Sequence, residues 1–188
     1  TVKVYAKGRQ LRTFDIGLTV IGRELPPPAE WNYYLDLWQH PAAVARVEGL
    51  DLWSDAHFEA LVPYMRLLAD AGQKVVTTTL NKDPWNNQCF DAYADMIVWT
   101  KNADGSWSYD YTVFDRWVEL MTGLGIDRSI NCYSMLPWNN ELHYRDGSTG
   151  RFVDVTADPG TPAFEALWEP FLTDFTGHLR EKGWLGRT

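Results

Sequence analysis

Short apolar runs rich in β-branched residues alternate along this chain with segments of helical period. Val2, Val4 and Ala6, then Leu18 and Val20, alternate with polar residues around Lys7-Gly8-Arg9, which predicts a β-hairpin pattern within residues 1–24. The stiff tract Leu25-Pro26-Pro27-Pro28 follows and reads as a linker. Tyr33–Trp38 reads as a strand that empties into Gln39-His40-Pro41. Ser54 then caps a helix in which Phe58, Leu61, Val62, Met65, Leu68 and Ala69 recur at helical spacing, with Gly72 closing it. Pro63 lies inside that helix and is expected to kink it, at a cost of ~3 kcal/mol if nothing compensates. Lys74–Leu80 is a β-branched strand. A hairpin is expected with arms Met96–Thr100 and Trp107–Tyr111, turning at Asn102-Ala103-Asp104-Gly105. A second helix spans Thr112 to Leu124, and Ser129–Leu136 is a third strand. Another hairpin (Glu141–Arg145 and Phe152–Val155) precedes a third helix, which Thr161 caps, Pro162 opens and Gly183 closes.

Strand and helix alternate, with long insertions after strands and short returns after helices. Alternation predicts a parallel sheet. Long strand-to-helix loops are the habit of a (β/α)8 TIM barrel, whose site lies at the carboxyl ends of its strands. Only about three βα units are present, and a typical barrel takes ~250 residues. The fold class expected is therefore α/β, the N-terminal part of such a barrel over residues 29–188. Residues 1–28 are expected to be the end of an upstream β-domain and its Pro-rich linker. A small complete three-layer domain is the alternative. Phe58-Glu59-Ala60-Leu61 recurs as Phe164-Glu165-Ala166-Leu167, an echo that shared helix composition explains about as well as a true repeat.

Composition narrows the function. The net charge is −8 across 188 residues, and no basic cluster exists to neutralise phosphates, so no nucleic-acid partner is expected. No apolar stretch approaches the roughly 20 residues of a membrane helix, so no membrane insertion is expected either. Cys89 and Cys132 are too few for a disulfide scaffold. His40, His57, His143 and His178 show no metal-ligand spacing, and neither a metal nor any other cofactor is expected. The strong signal is aromatic: ten Trp, nine Tyr and eight Phe. Phe58, Trp117, Phe164, Trp168, Phe171 and Phe175 fall on helices and read as core.

The remaining aromatics collect after strands. Pro-Trp-Asn-Asn occurs twice, at Pro84–Asn87 and Pro137–Asn140, each time after an apolar run. Three clusters would meet at one rim: Asp36, Trp38, Gln39 and His40; Asn81, Asp83, Trp85, Asn86 and Asn87; Tyr133, Trp138, Asn139, Asn140 and Glu141. A pyranose offers an apolar face to stack and a rim of hydroxyls to bond, which is the pairing these clusters supply. The competing account treats the Asn residues as turn chemistry and the Trp residues as rim packing. Glycosidic cleavage usually needs two carboxyl groups. Asp36, Asp83 and Glu141 are the acids available, and no spacing singles out a pair.

Across residues 25–188 the chain resembles the catalytic domain of glycoside hydrolase family 123. The resemblance is carried by Leu35-Asp36-Leu37-Trp38-Gln39-His40-Pro41, Leu68–Val75, Asp83-Pro84-Trp85-Asn86, Ile130–Met135 and His178–Trp184. It implies a β-N-acetylgalactosaminidase-like enzyme acting on glycans such as those of glycosphingolipids. Hydrolysis would be retaining and substrate-assisted, the sugar's own acetamido oxygen attacking the anomeric carbon. It further implies that residues 1–28 end a β-sandwich domain, and that the partner is a glycan with terminal or internal N-acetylhexosamine. In the family the acid and the acetamido-orienting carboxylate are a consecutive Asp-Glu pair after the fourth strand. No Asp-Glu dipeptide occurs in residues 1–188, so the pair is expected beyond Thr188. No catalytic residue is assigned here, and these 188 residues alone are expected to be inactive.

The carry-over is to substrate binding: Asp36, Trp38, Gln39, His40, Trp85, Asn86, Tyr133, Trp138 and Asn139. Trp38, Trp85 and Trp138 are the expected stacking surfaces, with Asp36 and Asn86 bonding hydroxyls. Two alternatives stand beside this. One is a non-catalytic carbohydrate-binding protein. The other is an ordinary two-carboxylate glycosidase using Asp36 and Glu141. A glycan-degrading parent would be secreted or periplasmic.

Overall fold

A computed structural model describes residues 1–188, save the side chain of residue 29. Strands β1 (Val2–Ala6) and β2 (Arg9–Phe14) form an antiparallel hairpin, with Lys7 and Gly8 at positive φ in its turn. Both strands, and the tract as far as Pro27, are exposed throughout. The proline tract is anchored where Trp31 Nε1–H donates to Pro26 O at 2.6 Å. Gly72 makes room for that turn: a Cβ there would meet Pro28 O at 3.3 Å and the Trp31 ring at 3.4 Å.

The body is a mixed α/β arrangement. Helix α1 (Pro41–Glu48) opens on proline and ends at Gly49 in the left-handed conformation, φ 68°. Its eight residues are too few for an apolar period to stand out in the sequence. Helix α2 (Asp55–Asp70) starts where Ser54 Oγ accepts from the His57 N–H at 3.2 Å, and it runs through Pro63. His57 itself is buried; its Nδ1 accepts from Trp53 N–H at 3.1 Å and its Nε2 pairs with Pro41 O at 2.9 Å, tying α1 to α2. Strand β3 (Val75–Thr79) is buried along its whole length. The hairpin β4 (Val98–Lys101) and β5 (Trp107–Asp110) leads into α3 (Thr112–Gly123). Strand β6 (Ser129–Tyr133) stops before the expected Leu136. Strands β7 (Glu141–Asp146) and β8 (Phe152–Thr156) form the second hairpin. Helix α4 (Pro162–Glu181) starts where Thr161 Oγ1 accepts from Phe164 N–H at 3.3 Å.

Strands β3 and β6 pair in parallel, from Val75↔Ser129 to Thr79↔Tyr133. Period two sends Val76 and Ile130 to the face packed with Leu61 and Met65 of α2 and with Trp117 and Val118 of α3. Trp117 also donates from Nε1 to Thr77 O at 2.9 Å. The two insertion hairpins are not independent, which the sequence did not reveal. They join as one sheet of order β5-β4-β7-β8, with β4 and β7 parallel at Thr100↔Arg145 and Lys101↔Asp146. Gly147 N–H closes the junction on Lys101 O at 2.9 Å. Trp99 of β4 stacks on Phe171 of α4 at 4.2 Å and meets Trp168 edge-on at 5.1 Å, fastening this sheet to the core.

The first expected strand, Tyr33–Trp38, forms no ladder. Its backbone touches β3 through a single parallel bridge, Leu35↔Gln73, with Lys74 N–H donating to Leu35 O at 2.9 Å. Beyond that point two buried amides replace peptide groups. Gln73 Oε1 accepts from Leu37 N–H at 2.9 Å, and its Nε2 donates to Val75 O at 2.8 Å. Gln39 Oε1 accepts from Thr77 N–H at 2.8 Å, and its Nε2 donates to Val75 O at 3.2 Å and to Leu37 O. A buried strand edge requires partners for each N–H and C=O, and a glutamine carries the same donor and acceptor as a peptide bond.

Gln39→Leu keeps the volume and removes both amide partners. It is expected to destabilise the chain by roughly 1–3 kcal/mol, the cost of a buried polar group left unpaired. Urea denaturation checks this; an unchanged midpoint would overturn the assignment.

Candidate functional site

Three chain segments bring rings to the carboxyl ends of the parallel strands. Trp38, before α1, lies 4.9 Å from Trp85, which follows β3, and 5.3 Å from Tyr133, the last residue of β6. Trp85 and Tyr133 are 4.8 Å apart, centroid to centroid. Tyr93 closes the group, 4.4 Å from Trp85 and 3.8 Å from the His40 ring. His40 Nε2 pairs with Asp91 O at 2.9 Å, while its Nδ1 is buried with no partner among the described residues. Asp91 in turn holds Arg46 of α1 through both carboxylate oxygens, at 2.8 and 2.9 Å.

Asp36 sits beside this cluster. Asn131 Nδ2 donates to its Oδ2 at 3.3 Å, and its Oδ1 is buried with no partner among the described residues. Burial raises its carboxyl above the ordinary carboxylate value. Burial, and secondarily the Asp36 charge, raises the Tyr133 phenol as well. Burial, then Cys89, pushes Tyr93 up to about 12, so its hydroxyl stays a donor at any physiological pH.

The two Pro-Trp-Asn-Asn loops lie against each other. Trp138 N–H donates to Pro84 O at 3.1 Å, and Asn139 Nδ2 donates to Asn86 Oδ1 at 3.3 Å. Asn86, Asn87 and Asn140 all take positive φ, between 51° and 57°, a region asparagine enters more readily than most residues. Asp83 shapes the first loop by accepting from Trp85 N–H at 3.2 Å and Asn87 N–H at 2.8 Å. Asn81 clips β7 to the end of β3: its Oδ1 accepts from His143 N–H at 2.8 Å and its Nδ2 donates to His143 O at 2.9 Å. Lys82 bonds Glu141 at 2.8 Å and Asp154 at 2.9 Å.

The nine sequence candidates thus fall into distinct places. Asp36, Trp38, His40, Trp85 and Tyr133 share one cluster. Trp38 and Trp138 present exposed rings, at 51% and 65%. Trp85 is 6% exposed, its ring faced by Trp38, Tyr93 and Tyr133, so it supports the platform rather than forming its surface. Gln39 is 2% exposed, with its amide engaged on β3. Asn86 and Asn139 line a separate cavity of about 230 Å³. Glu141 is held by Lys82. Two residues escaped the sequence reading. Asn131 shares a strand face with Tyr133, two positions on, and that alternation could have identified it. Tyr93 lies in a loop, where no period marks it.

The chain matches the family described as glycoside hydrolase 123, catalytic domain, over residues 38–188. Among solved structures it is similar to a family 123 glycoside hydrolase from Clostridium perfringens, analysed for glycolipid glycan hydrolysis. The identity is 36% and the TM-score 0.81, covering 87% of this chain and 30% of that one. Among curated proteins no match is found. With well over half its length matched to the family, and strand-end aromatics gathered into one cluster, this chain belongs to glycoside hydrolase family 123.

Proposed function

We propose that this chain grips the sugar in a retaining glycoside hydrolase that removes β-linked N-acetylgalactosamine from glycans such as those of glycolipids. The observation carrying the proposal is the Trp38–Trp85–Tyr133 cluster, with centroids 4.8–5.3 Å apart, beside a carboxylate with a free, buried oxygen. Trp38 offers an apolar face for the pyranose, and Asp36 accepts from its hydroxyls. Specificity follows because a sugar lacking the matching hydroxyl leaves Asp36 Oδ1 buried and unpaired.

On this reading Leu35–Trp38, β3 and β6 begin a (β/α)8 barrel, and residues 1–28 end a β-sandwich with its linker. The parent protein is secreted or periplasmic. The acetamido oxygen of the substrate acts as nucleophile, and a consecutive Asp-Glu pair orients it and protonates the leaving oxygen. Residues 1–188 contain no such pair, so the reading gives this chain binding without turnover and assigns the pair to polypeptide after Thr188. A chromogenic N-acetylgalactosaminide is accordingly expected to remain intact with this chain, and measurable release of the chromophore would refute that division of labour.

Binding is tested by titrating N-acetylgalactosamine and following tryptophan fluorescence. Trp38→Ala is expected to weaken binding about tenfold, or ~1.4 kcal/mol; equal affinity would remove the platform from the proposal. Asp36→Asn separates function from stability. Because burial raises the Asp36 pKa from 3.8, the folded chain holds this proton to higher pH than the unfolded chain does. The group therefore weakens folding as pH rises through that interval, and weakens it fully above both values. Asp36→Asn is expected to melt higher than the native chain at pH 7, to lose that advantage below both values, and to bind sugar more weakly. A lower melting temperature at pH 7 would contradict the argument.

A further inference from the structure

The loop that carries Trp85 and Tyr93 is pinned at its two ends and in its first half. Asn81 clips it to β7, Met96 N–H donates to Thr79 O at 3.0 Å, and Pro84 O accepts from Trp138 N–H at 3.1 Å. Its middle is held differently. Between Gln88 and Ala92, every hydrogen bond, ion pair and ring contact that the described residues make to another segment runs to Arg46 or His40. We propose that Arg46 is a positioning residue, whose ion pair with Asp91 sets the Trp38–Trp85 platform and makes affinity for a neutral sugar depend on salt. The proposal rests on the carbohydrate reading above and adds a control point outside the ring cluster.

Arg46 Nε–H is shared between both Asp91 carboxylate oxygens, at 2.8 and 2.9 Å, and its guanidinium lies 4.8 Å from the Phe90 ring centroid. Asp91 is thereby clamped through its side chain. Its carbonyl accepts from His40 Nε2 at 2.9 Å, which orients the His40 ring. His40 packs on Tyr93 at 3.8 Å, Tyr93 meets Trp85 at 4.4 Å, and Trp85 meets Trp38 at 4.9 Å. Arg46 itself stands on a fixed base. Helix α1 is tied to α2 by His57 Nε2 at Pro41 O, 2.9 Å, and by the Tyr64 hydroxyl donating to Glu48 at 2.6 Å. Rigidity therefore passes from α2 through α1 and this ion pair into the middle of the loop.

Solvent reaches the pair from one side, since the Arg46 side chain is half exposed while that of Asp91 is mostly covered. An ion pair so placed is screened by dissolved salt. N-acetylgalactosamine carries no charge, so salt has nothing on the ligand to act upon. A salt dependence of its binding would report on charges within the protein, and removing Arg46 identifies which.

The test titrates N-acetylgalactosamine into the 188-residue chain, following tryptophan fluorescence. Sodium chloride is varied between about 0.01 and 1 M, over which the screening length falls from about 30 to 3 Å. The native chain is expected to lose about threefold in affinity across that range. Arg46→Met keeps the aliphatic stem and removes the charge. It is expected to bind about fivefold more weakly at low salt, ~1 kcal/mol, with no further loss as salt rises. Its melting temperature should stay close to native, because a half-exposed pair adds little to global stability. A merely structural role would lower the melting temperature and leave the salt profile as it is in the native chain. Exchanging the partners, Arg46→Asp with Asp91→Arg, should restore both the affinity and its salt dependence. In the sugar-free ¹⁵N-labelled chain, the Trp38 and Trp85 indole signals should move with salt, and stay still in Arg46→Met. Native affinity in Arg46→Met would overturn the positioning role and leave the platform standing. A salt-independent native affinity would overturn it without any variant. If the native chain binds no sugar at any salt, the carbohydrate reading fails and this inference falls with it.

Discussion

The open edge of β3 is the constraint on which the rest of the molecule depends. Its peptide groups are buried, and buried N–H and C=O groups must be matched. The chain before α1 reaches that edge with one backbone bridge, at Leu35, and then turns away. Gln73 and Gln39 complete the edge with side-chain amides. This substitution frees the backbone at Leu37 and Trp38 from strand geometry, so that Trp38 turns its ring toward Trp85 and Tyr133. A regular strand would have carried the same residues onward along the sheet axis. The exposed Trp38 ring is thus positioned by two buried glutamines.

Support passes outward from the core in steps. Trp117 donates to Thr77 O from beneath β3, and Trp99 donates to Leu80 O where β3 ends. Trp85 follows, packed by Tyr93 and Tyr133, and only then the half-exposed Trp38. Each ring rests on a more deeply buried one. Offset and edge-on aromatic contacts contribute about 0.5–1.5 kcal/mol each beyond area, enough to hold a surface indole in one orientation. Asp36 runs against this trend, since its buried, unpartnered oxygen weakens folding. Unfavourable groups of this kind concentrate where ligands are recognised.

Much of this was legible in the sequence, for reasons that differ by element. Helices α2, α3 and α4 follow apolar periods with hydroxyl caps or turn signals, and most residues the period selects are buried; in α2, Val62 is exposed and His57, outside the period, is buried. Both insertion hairpins are marked by an Asp-Gly turn, at Asp104-Gly105 and Asp146-Gly147, and by alternation. Helix α1 was not legible, because it is eight residues long. The joining of β4 to β7 was hidden because nothing local records which of two hairpins a third element will bring together. Within the candidate site the repeated Pro-Trp-Asn-Asn correctly marked two neighbouring loops, but repetition in sequence concealed a difference in burial. Trp85 lies beneath its neighbours and Trp138 stands in solvent, because only the first loop has Tyr93 folded back over it. The family resemblance placed Gln39 at the sugar pocket; its burial against β3 was not legible, because it depends on the path of a backbone that bends away from the expected strand.

The merged insertion sheet has a mechanical consequence. Through β4, β7, the Asn81 clip and the Lys82 ion pairs, the two loops that follow β3 and β6 are coupled into one slab. Neither can swing outward alone without tearing the other's hydrogen bonds. A large ligand at this mouth would meet one fixed lip instead of two flaps that part. Divergence in what this mouth admits would then proceed by exchanging side chains on a fixed frame, since lengthening one loop would dislocate its neighbour.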